Sequence, residues 1–234
     1  MLRNKIMNIY DIRPRELLND YLVRVGNKNG DGGYLLPAKL LTKMDVLYSY
    51  GIGQETNFEK EYKSVYNNRI EGYDHTIEST IPEINFHREG LSGYSTHNCN
   101  NFLYHLKQNN DEDKKVLLKI DVEGSEYEFI QNTNIATVAE HAPLLLLEFH
   151  NANQYLAGSL DKVKEHYNIV HWHYNNYGGL INGFPEVPEI TFVSKAIDVG
   201  DYTQKTYPLP NLDKPNNGKE DGYQWKYEGF SVAG

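Results

Sequence analysis

The sequence predicts an α/β fold in which a mostly parallel sheet carries helices on both faces. Two observations lead there. From Asp45 onward, short apolar runs alternate with amphipathic segments of helical period, the pattern of βα units that build parallel sheets. Two of the runs also end in turns suited to the ligand-binding edge of such a sheet, Tyr50-Gly51-Ile52-Gly53 and Asp121-Val122-Glu123-Gly124. In open α/β sheets that edge lies at the carboxyl ends of the strands.

Taken in order, Tyr21–Val25 alternates like a strand, Gly26–Gly33 is dense in turn residues, and Tyr34–Leu36 resumes, which predicts a hairpin. Pro37 then opens a short helix carrying Leu40, Leu41 and Met44. Val46–Tyr50 is the first strand of the alternating core. A helix follows, with Phe58, Tyr62, Val65 and Tyr66 on one face. Arg69–Asp74 and Ile84–Phe86 are the next strands, and a helix with Cys99, Phe102, Leu103 and Leu106 on its apolar face comes after them. Val116–Asp121 is the fourth strand. Leu144–Phe149 is the fifth and the most apolar stretch of the chain. A helix over about 155–166 leads to strand Ile169–His173, and Glu189–Ser194 is the last strand. These elements divide the chain into a cover segment over 1–44, a core over 45–200 and a tail over 201–234 that reads as an extended wrap or a flexible end.

Composition excludes several function classes. The 234 residues carry a net charge of −9, which disfavours a nucleic-acid partner or an anionic membrane surface. Cys99 is the one cysteine, so there is no intrachain disulfide and no thiolate zinc cluster. The Met1–Lys5 start lacks a signal-peptide core, and no apolar stretch reaches membrane-spanning length. The expectation is a cytoplasmic chain without membrane insertion, its oligomeric state undetermined.

The chemistry-bearing residues gather at strand ends. Glycine at 51 and 53 lets backbone approach a ligand closely. A dinucleotide fingerprint wants a third glycine where this chain has Thr56, and Asp74 ends the second strand, where an acid commonly binds ribose hydroxyls. A nucleoside ligand without an obligatory pyrophosphate fits this pattern. Asp121 ends the fourth strand, Glu148 and His150 the fifth, and His171 and His173 the sixth. Residues two apart on a strand share a face, so these groups converge at one edge. They suit Mg²⁺ or Mn²⁺ held by Asp121, His150 and His173, or a general-base site. Glu126 and Glu128 read as acids at a helix N-terminus. Asn175 and Asn176 are either acceptor-binding or turn residues.

The segment Leu118-Lys119-Ile120-Asp121-Val122-Glu123-Gly124-Ser125-Glu126 resembles the most recognisable stretch of the FkbM-type methyltransferases, a branch of the class I S-adenosylmethionine-dependent enzymes. Arg24-Val25-Gly26, Asp31–Tyr34, Tyr48–Gly53 with Phe58-Glu59, Leu147–His150, His171–Asn176 and Pro188–Phe192 follow in the same order, so the likeness runs over about 21–195. The resemblance implies a Rossmann-like seven-stranded sheet with one antiparallel strand, and O-methylation of a sugar or other secondary metabolite, such as a bacterial surface or capsular saccharide precursor. A phosphoryl or phosphoramidate oxygen is the other acceptor in view. It further implies S-adenosylmethionine contacts at Tyr50, Gly51, Gly53, Glu59, Asp74, His75, Gly90, Leu91 and Asp121. Catalytic roles fall to Asp121, His150 and Glu148, and acceptor contacts to Arg24, Glu123, Asn175 and Asn176. Two rivals stand outside methyl transfer: a nicotinamide-dependent dehydrogenase, disfavoured by Thr56, and a non-catalytic saccharide-binding module on the same fold. No family pattern assigns the tail a role.

Overall fold

The computed structural model describes residues 12–78 and 82–218; the Met1–Lys5 start and the tail beyond Gly218 lie outside the described residues. Strand β1 (Arg15–Leu17) comes first, then β2 (Leu22–Gly26) and β3 (Gly33–Pro37), which pair antiparallel from Leu22↔Pro37 to Gly26↔Gly33. Pro37 leads into the single turn of α1 (Ala38–Leu41). The βα alternation then appears as β4 (Val46–Tyr50), α2 (Asn57–Tyr66), β5 (Arg69–Tyr73) and β6 (Asn85–His87). Helix α2 buries Phe58 and Tyr62 against the sheet, as their spacing of four requires.

The expected helix around Cys99 starts later than its apolar spacing implies. Cys99–Asn100 is strand β8, paired in parallel with β7 (Gly90–Leu91). The Asn101 side chain accepts a hydrogen bond from the Tyr104 N–H at 2.9 Å. That cap fixes the start of α3 (Phe102–Gln108) and leaves Cys99 outside it. Next come β9 (Val116–Ile120), α4 (Glu126–Asn132), α5 (Ile135–His141), β10 (Leu144–Glu148), α6 (Ala152–Lys164) and β11 (Tyr167–Tyr174). The small hairpin of β12 (Leu180–Ile181) and β13 (Phe184–Pro185) precedes β14 (Pro188–Ser194) and β15 (Val199–Tyr202).

The main sheet has seven strands in the order β11-β14-β10-β9-β4-β5-β6. Strand β14 runs antiparallel to both its neighbours, while β10, β9, β4, β5 and β6 are parallel. Because the chain leaves β4 toward β5 and β6, then returns to place β9 on the other flank, the topological switch lies between β4 and β9. Both faces are buried. Val116, Leu118 and Ile120 join one apolar cluster and Leu117 the other, the alternation that a strand imposes. Each such side chain contributes about 1.5–3 kcal/mol when fully buried.

The start and end of the described chain are tied together, since β1 pairs antiparallel with β15. Beyond β15, residues 203–218 fold back along β11 and β14. Tyr207 stacks on Trp172 with ring centroids 5.7 Å apart, and Asp213 is buried against His171 and His173. Among the described residues no helix is long and apolar enough to cross a membrane.

Candidate active site

A cleft of about 890 Å³ opens at the carboxyl ends of β4, β5, β9 and β10, where the switch in strand order leaves room between the outgoing loops. The turn at Asp31 and Gly32 forms one wall, and Asn175 to Val187 supplies part of another.

The two turn glycines have different reasons to be glycine. Gly51, at φ +74°, lies against β9, and a Cβ there would stand 1.6 Å from the Asp121 carbonyl oxygen. It is small so that two strand ends can meet. Gly53, at φ +57°, has nothing within 4 Å of a Cβ position, so its backbone faces the cleft. Asp74 holds this turn. Its Oδ2 accepts the Gly53 N–H at 2.9 Å and its Oδ1 accepts the Thr76 N–H and hydroxyl at 2.7 and 2.6 Å. Burial alone would raise the Asp74 pKa, but these donors outweigh it and lower the value. Of about four lone-pair sites on a carboxylate, three are used, which leaves one on Oδ2 for a ligand hydroxyl. His75, Gly90 and Leu91 line the same end.

Charge concentrates at the other end. Register places Leu147 beside Ile120, so Asp121 and Glu148 emerge next to each other. Lys119, one layer below, is buried within β9; its Nζ stands 3.6 Å from Asp121 Oδ2 and 5.6 Å from the Tyr34 ring centroid. Burial would lower the Lys119 pKa, but Asp121, Glu59 and Glu148 raise it, and the ammonium stays charged. Glu148 is pushed well above the usual carboxylate range by burial, with Asp121 and Glu189 adding to the effect against Lys119. Its Oε1 accepts the Asn175 amide N–H at 2.9 Å.

His150 hangs over this group. Its Nε2 lies 3.3 Å from Glu123 Oε2, 3.8 Å from Glu148 Oε1 and 3.9 Å from Asp121 Oδ1, and its Nδ1 is 3.4 Å from Glu126 Oε1. Burial opposes its charge, yet Glu126, Glu123 and Asp121 prevail and raise its pKa. Glu126 acts beyond its place in the first turn of α4. It is fully buried, accepts the Gly124 N–H at 2.8 Å and the His150 backbone N–H at 2.7 Å, and so fixes where His150 sits. Asp121, Glu123 and His150 each offer a donor atom, all within 4.8 Å of one another. Two carboxylate oxygens and an imidazole at that spacing match the ligand preferences of a divalent cation.

Most of the expected site residues line the cleft: Gly51, Gly53, Glu59, Asp74, His75, Gly90, Leu91, Asp121, Glu123, Glu148, His150 and Asn175. Four stand elsewhere. His173 does not meet Asp121 and His150, because the tail claims it: Nδ1 pairs with Asp213 at 3.2 Å and Nε2 with Asn216 at 2.8 Å. Glu123 takes its place in the three-residue group. Arg24 turns to the hairpin, donating to the Asn27 and Gly30 carbonyls at 2.7 and 2.8 Å. Asn176 bonds Asn217, donating to its carbonyl and accepting its N–H. The Tyr50 side chain lies beneath the sheet edge, its hydroxyl 2.9 Å from His105 Nδ1. Lys119 is the residue that sequence reasoning missed, and the signal was there: a lysine inside the otherwise apolar run Val116–Ile120.

The chain matches no curated protein, but a model of the methyltransferase FkbM domain matches residues 10–190. That span contains every strand of the seven-stranded sheet down to the first residues of β14, and all the cleft residues described above. The chain belongs to the FkbM methyltransferase family.

Proposed function

We propose that the protein is an S-adenosylmethionine-dependent O-methyltransferase of class I, acting on a neutral polyhydroxylated acceptor such as a sugar unit of a surface or capsular saccharide precursor. The observation that carries the reading is the division of one cleft into two ends. Asp74 and the Gly53 backbone offer a hydroxyl acceptor and bare main chain at one end, and Asp121 and His150 gather charge at the other. A sheet in which one strand alone, β14, opposes its neighbours supports the class I assignment.

Bound S-adenosylmethionine would supply an electrophilic methyl group on sulfur. Asp74 would take a ribose hydroxyl on its free lone pair. Asp121 would face the positive sulfonium, a charge match in a site where water is partly excluded. His150, neutral, would receive the acceptor proton at Nε2, and its three carboxylate neighbours would stabilise the imidazolium that results. Glu148, kept protonated by burial, would donate a hydrogen bond to an acceptor oxygen. Alignment of acceptor oxygen, methyl carbon and sulfur would supply much of the acceleration.

The surroundings favour a hydroxyl over a phosphoryl or phosphoramidate oxygen. The cleft end is acidic, and Arg24 is engaged by the hairpin carbonyls. A second reading keeps a divalent cation on Asp121, Glu123 and His150, where it would acidify the acceptor hydroxyl. Titration with S-adenosylmethionine, S-adenosylhomocysteine and NAD tests the cofactor; binding of NAD alone, or of none, refutes the proposal. Sugar nucleotides and capsule precursors screened by mass spectrometry for a methyl gain would then identify the acceptor. Full turnover after chelation would remove the cation and leave His150 as base.

A further inference from the structure

We propose that Asp31 binds a hydroxyl of the acceptor, and that the C-terminal tail holds it there by bracing two walls of the cleft through Asn216 and Asn217. The hydroxyl rests on the acceptor reading above; the brace does not.

The wall at Asp31 and Gly32 is fixed from two sides. Within the hairpin, Arg24 donates to the Asn27 and Gly30 carbonyls, and the Asn27 N–H donates to the Gly32 carbonyl at 3.0 Å. From the tail, Asn216 Nδ2 donates to Asp31 Oδ1 at 2.8 Å and to Glu189 Oε1 at 2.7 Å, while Asn216 Oδ1 lies 2.8 Å from His173 Nε2. Asn216 is buried, and both its amide hydrogens are spent. The next residue reaches the other wall. Asn217 donates its N–H to Asn176 Oδ1 at 2.8 Å, and its carbonyl accepts from Asn176 Nδ2 at 2.9 Å. Asn176 stands between Asn175 and Tyr177, which line the cleft. Consecutive tail residues thus grip two different walls, and Asp213, held by His171 and His173, anchors the segment that carries them. Both gripping residues lie beyond 190, outside the span matched to the family domain.

Both walls stand at the charged end of the cleft. Tyr34, three residues after Asp31, has its ring centroid 5.6 Å from Lys119 Nζ, and Asn175 donates to Glu148. The bonds already made decide which atoms remain for a ligand. Asp31 Oδ1 accepts the Gly32 N–H at 3.0 Å as well as Asn216, whereas Oδ2 accepts no hydrogen bond among the described residues. On the other wall, Asn175 Oδ1 accepts the Tyr177 N–H at 3.0 Å and one Nδ2 hydrogen goes to Glu148, so the second amide hydrogen is left over. An unspent carboxylate oxygen on one wall and an unspent amide hydrogen on the other suit hydroxyl groups, which both donate and accept. A pocket built to hydrogen-bond a hydroxyl also rejects the analogue that lacks it, because its own polar group is then left unpaired. Asp31 is therefore a specificity residue, and Asn216 and Asn217 are positioning residues that set how the walls face each other.

Recognition and brace are tested separately in the full chain. Asp31→Asn keeps an oxygen for Gly32 and Asn216 but replaces Oδ2 by an N–H donor. With the sugar nucleotide that the wild type methylates best in the screen above as probe, it should raise KM about tenfold or more, the range of one charge-assisted hydrogen bond. Its kcat should stay within about threefold and its S-adenosylhomocysteine affinity, by isothermal titration, within about twofold. An unchanged KM, or a loss of S-adenosylhomocysteine affinity, would overturn the role of Asp31. The brace is read without any acceptor. Asn29→Cys and Leu180→Cys, at exposed positions on the two walls, carry nitroxide labels in a Cys99→Ser background. Electron–electron double resonance should give a narrow distance distribution that Asp31→Asn leaves in place and that broadens or lengthens in Asn216→Ala and Asn176→Ala. Identical distributions in all variants would overturn the brace. If Asn216→Ala does not fold, Asn176→Ala, which cuts only the bond to Asn217, decides alone. A wild type that binds S-adenosylhomocysteine but methylates no sugar nucleotide would refute the acceptor reading and the hydroxyl at Asp31 with it, while the label distances still judge the brace.

Discussion

One transverse row of side chains crosses the sheet, and its two ends have opposite fates. Register aligns Glu148, Glu189 and His173 on β10, β14 and β11, and Asp121 follows the last residue of β9 beside them. At the β11 end the side chains bond one another and the tail. His171 Nε2 and His173 Nδ1 meet Asp213 Oδ1 at 3.0 and 3.2 Å, and Asn216 links His173 to Glu189 and to Asp31. At the β9 end the contacts are long and the groups face a cleft: oxygens of Glu123, Glu148 and Asp121 lie between 3.3 and 3.9 Å from His150 Nε2. The residue types are the same, imidazole and carboxylate, so type alone does not mark a site. What separates the two ends is whether the groups bond one another and the tail or face a cleft.

The largest effect should follow from opening the closed end. Asp213→Ala removes the acceptor of His171, of His173 and of the Leu209 N–H. Breaking one partner out of a buried charged cluster costs about 3–5 kcal/mol, or roughly 6–20 °C in Tm for a domain of this size. A loss under about 1 kcal/mol in urea unfolding would show that the tail is not a structural latch. The pH dependence has a definite sign. His173 is raised: burial opposes its charge, but Asp213 and Glu189 prevail, so its contribution is full below about pH 6.5 and fades as pH rises through the higher folded value. Asp213 is depressed, because His171 and His173 outweigh burial. Its contribution is full above about pH 3.9 and is lost only as pH falls through the lower folded value. Wild-type stability should therefore peak between these limits, and Asp213→Ala should flatten that peak.

At the open end the same kind of change should spare stability and strike turnover. His150→Gln should lower kcat by about 10²–10³-fold on a hydroxyl acceptor, some 2.7–4 kcal/mol of barrier, with Tm nearly unmoved. Near-normal turnover would sink the base assignment. Glu126→Gln is expected to be milder, about tenfold in kcat, because it loosens His150 without removing it. It also removes a carboxylate that raises the His150 pKa, so the acid limb of the kcat/KM profile should move to lower pH. A limb that stays in place would mean that Glu126 serves only the turn at Gly124.

How much of this was legible depended on the range of the forces involved. The central strands were readable because each is a local apolar run, as in Leu144–Glu148, while Arg69–Tyr73 and Asn85–His87 were legible mainly from their place in the alternation. The pairing of β1 with β15 was not, since Arg15 and Tyr202 meet only through the folded chain. Asp121, Glu148 and His150 were legible as neighbours because each stands at a strand end on the same edge, and all three line the cleft. His173 carried the same local signal, and its partner Asp213 lies forty residues on, in a tail without periodicity. Cys99 fitted a helical spacing with Phe102 and Leu106, and only the Asn101 cap excluded it. Lys119 was hidden for a different reason: in a run as apolar as Val116–Ile120, its charge reads as an exception until three acids are seen around it.

The smallest expected change is also the one that best divides the two mechanisms at the open end. Glu123 holds φ +53° at the turn after β9, its side chain is 87% exposed, and its Oε2 lies 3.3 Å from His150 Nε2. If that contact only helps to keep His150 basic, it is an exposed ion pair worth about 0–1 kcal/mol. Glu123→Gln should then cost at most about fivefold in turnover, keep its activity in chelator, and lower the acid limb slightly. If Glu123 is instead one of three ligands to a cation, the same change removes a third of the donor set. Turnover would fall far more steeply and return as Mg²⁺ or Mn²⁺ is raised, since affinity follows the number and charge of the ligands. Measuring kcat for Glu123→Gln across a metal titration therefore reads the role of His150 directly: a flat, mild loss leaves the imidazole as base, and a deep loss reversed by metal makes it a ligand.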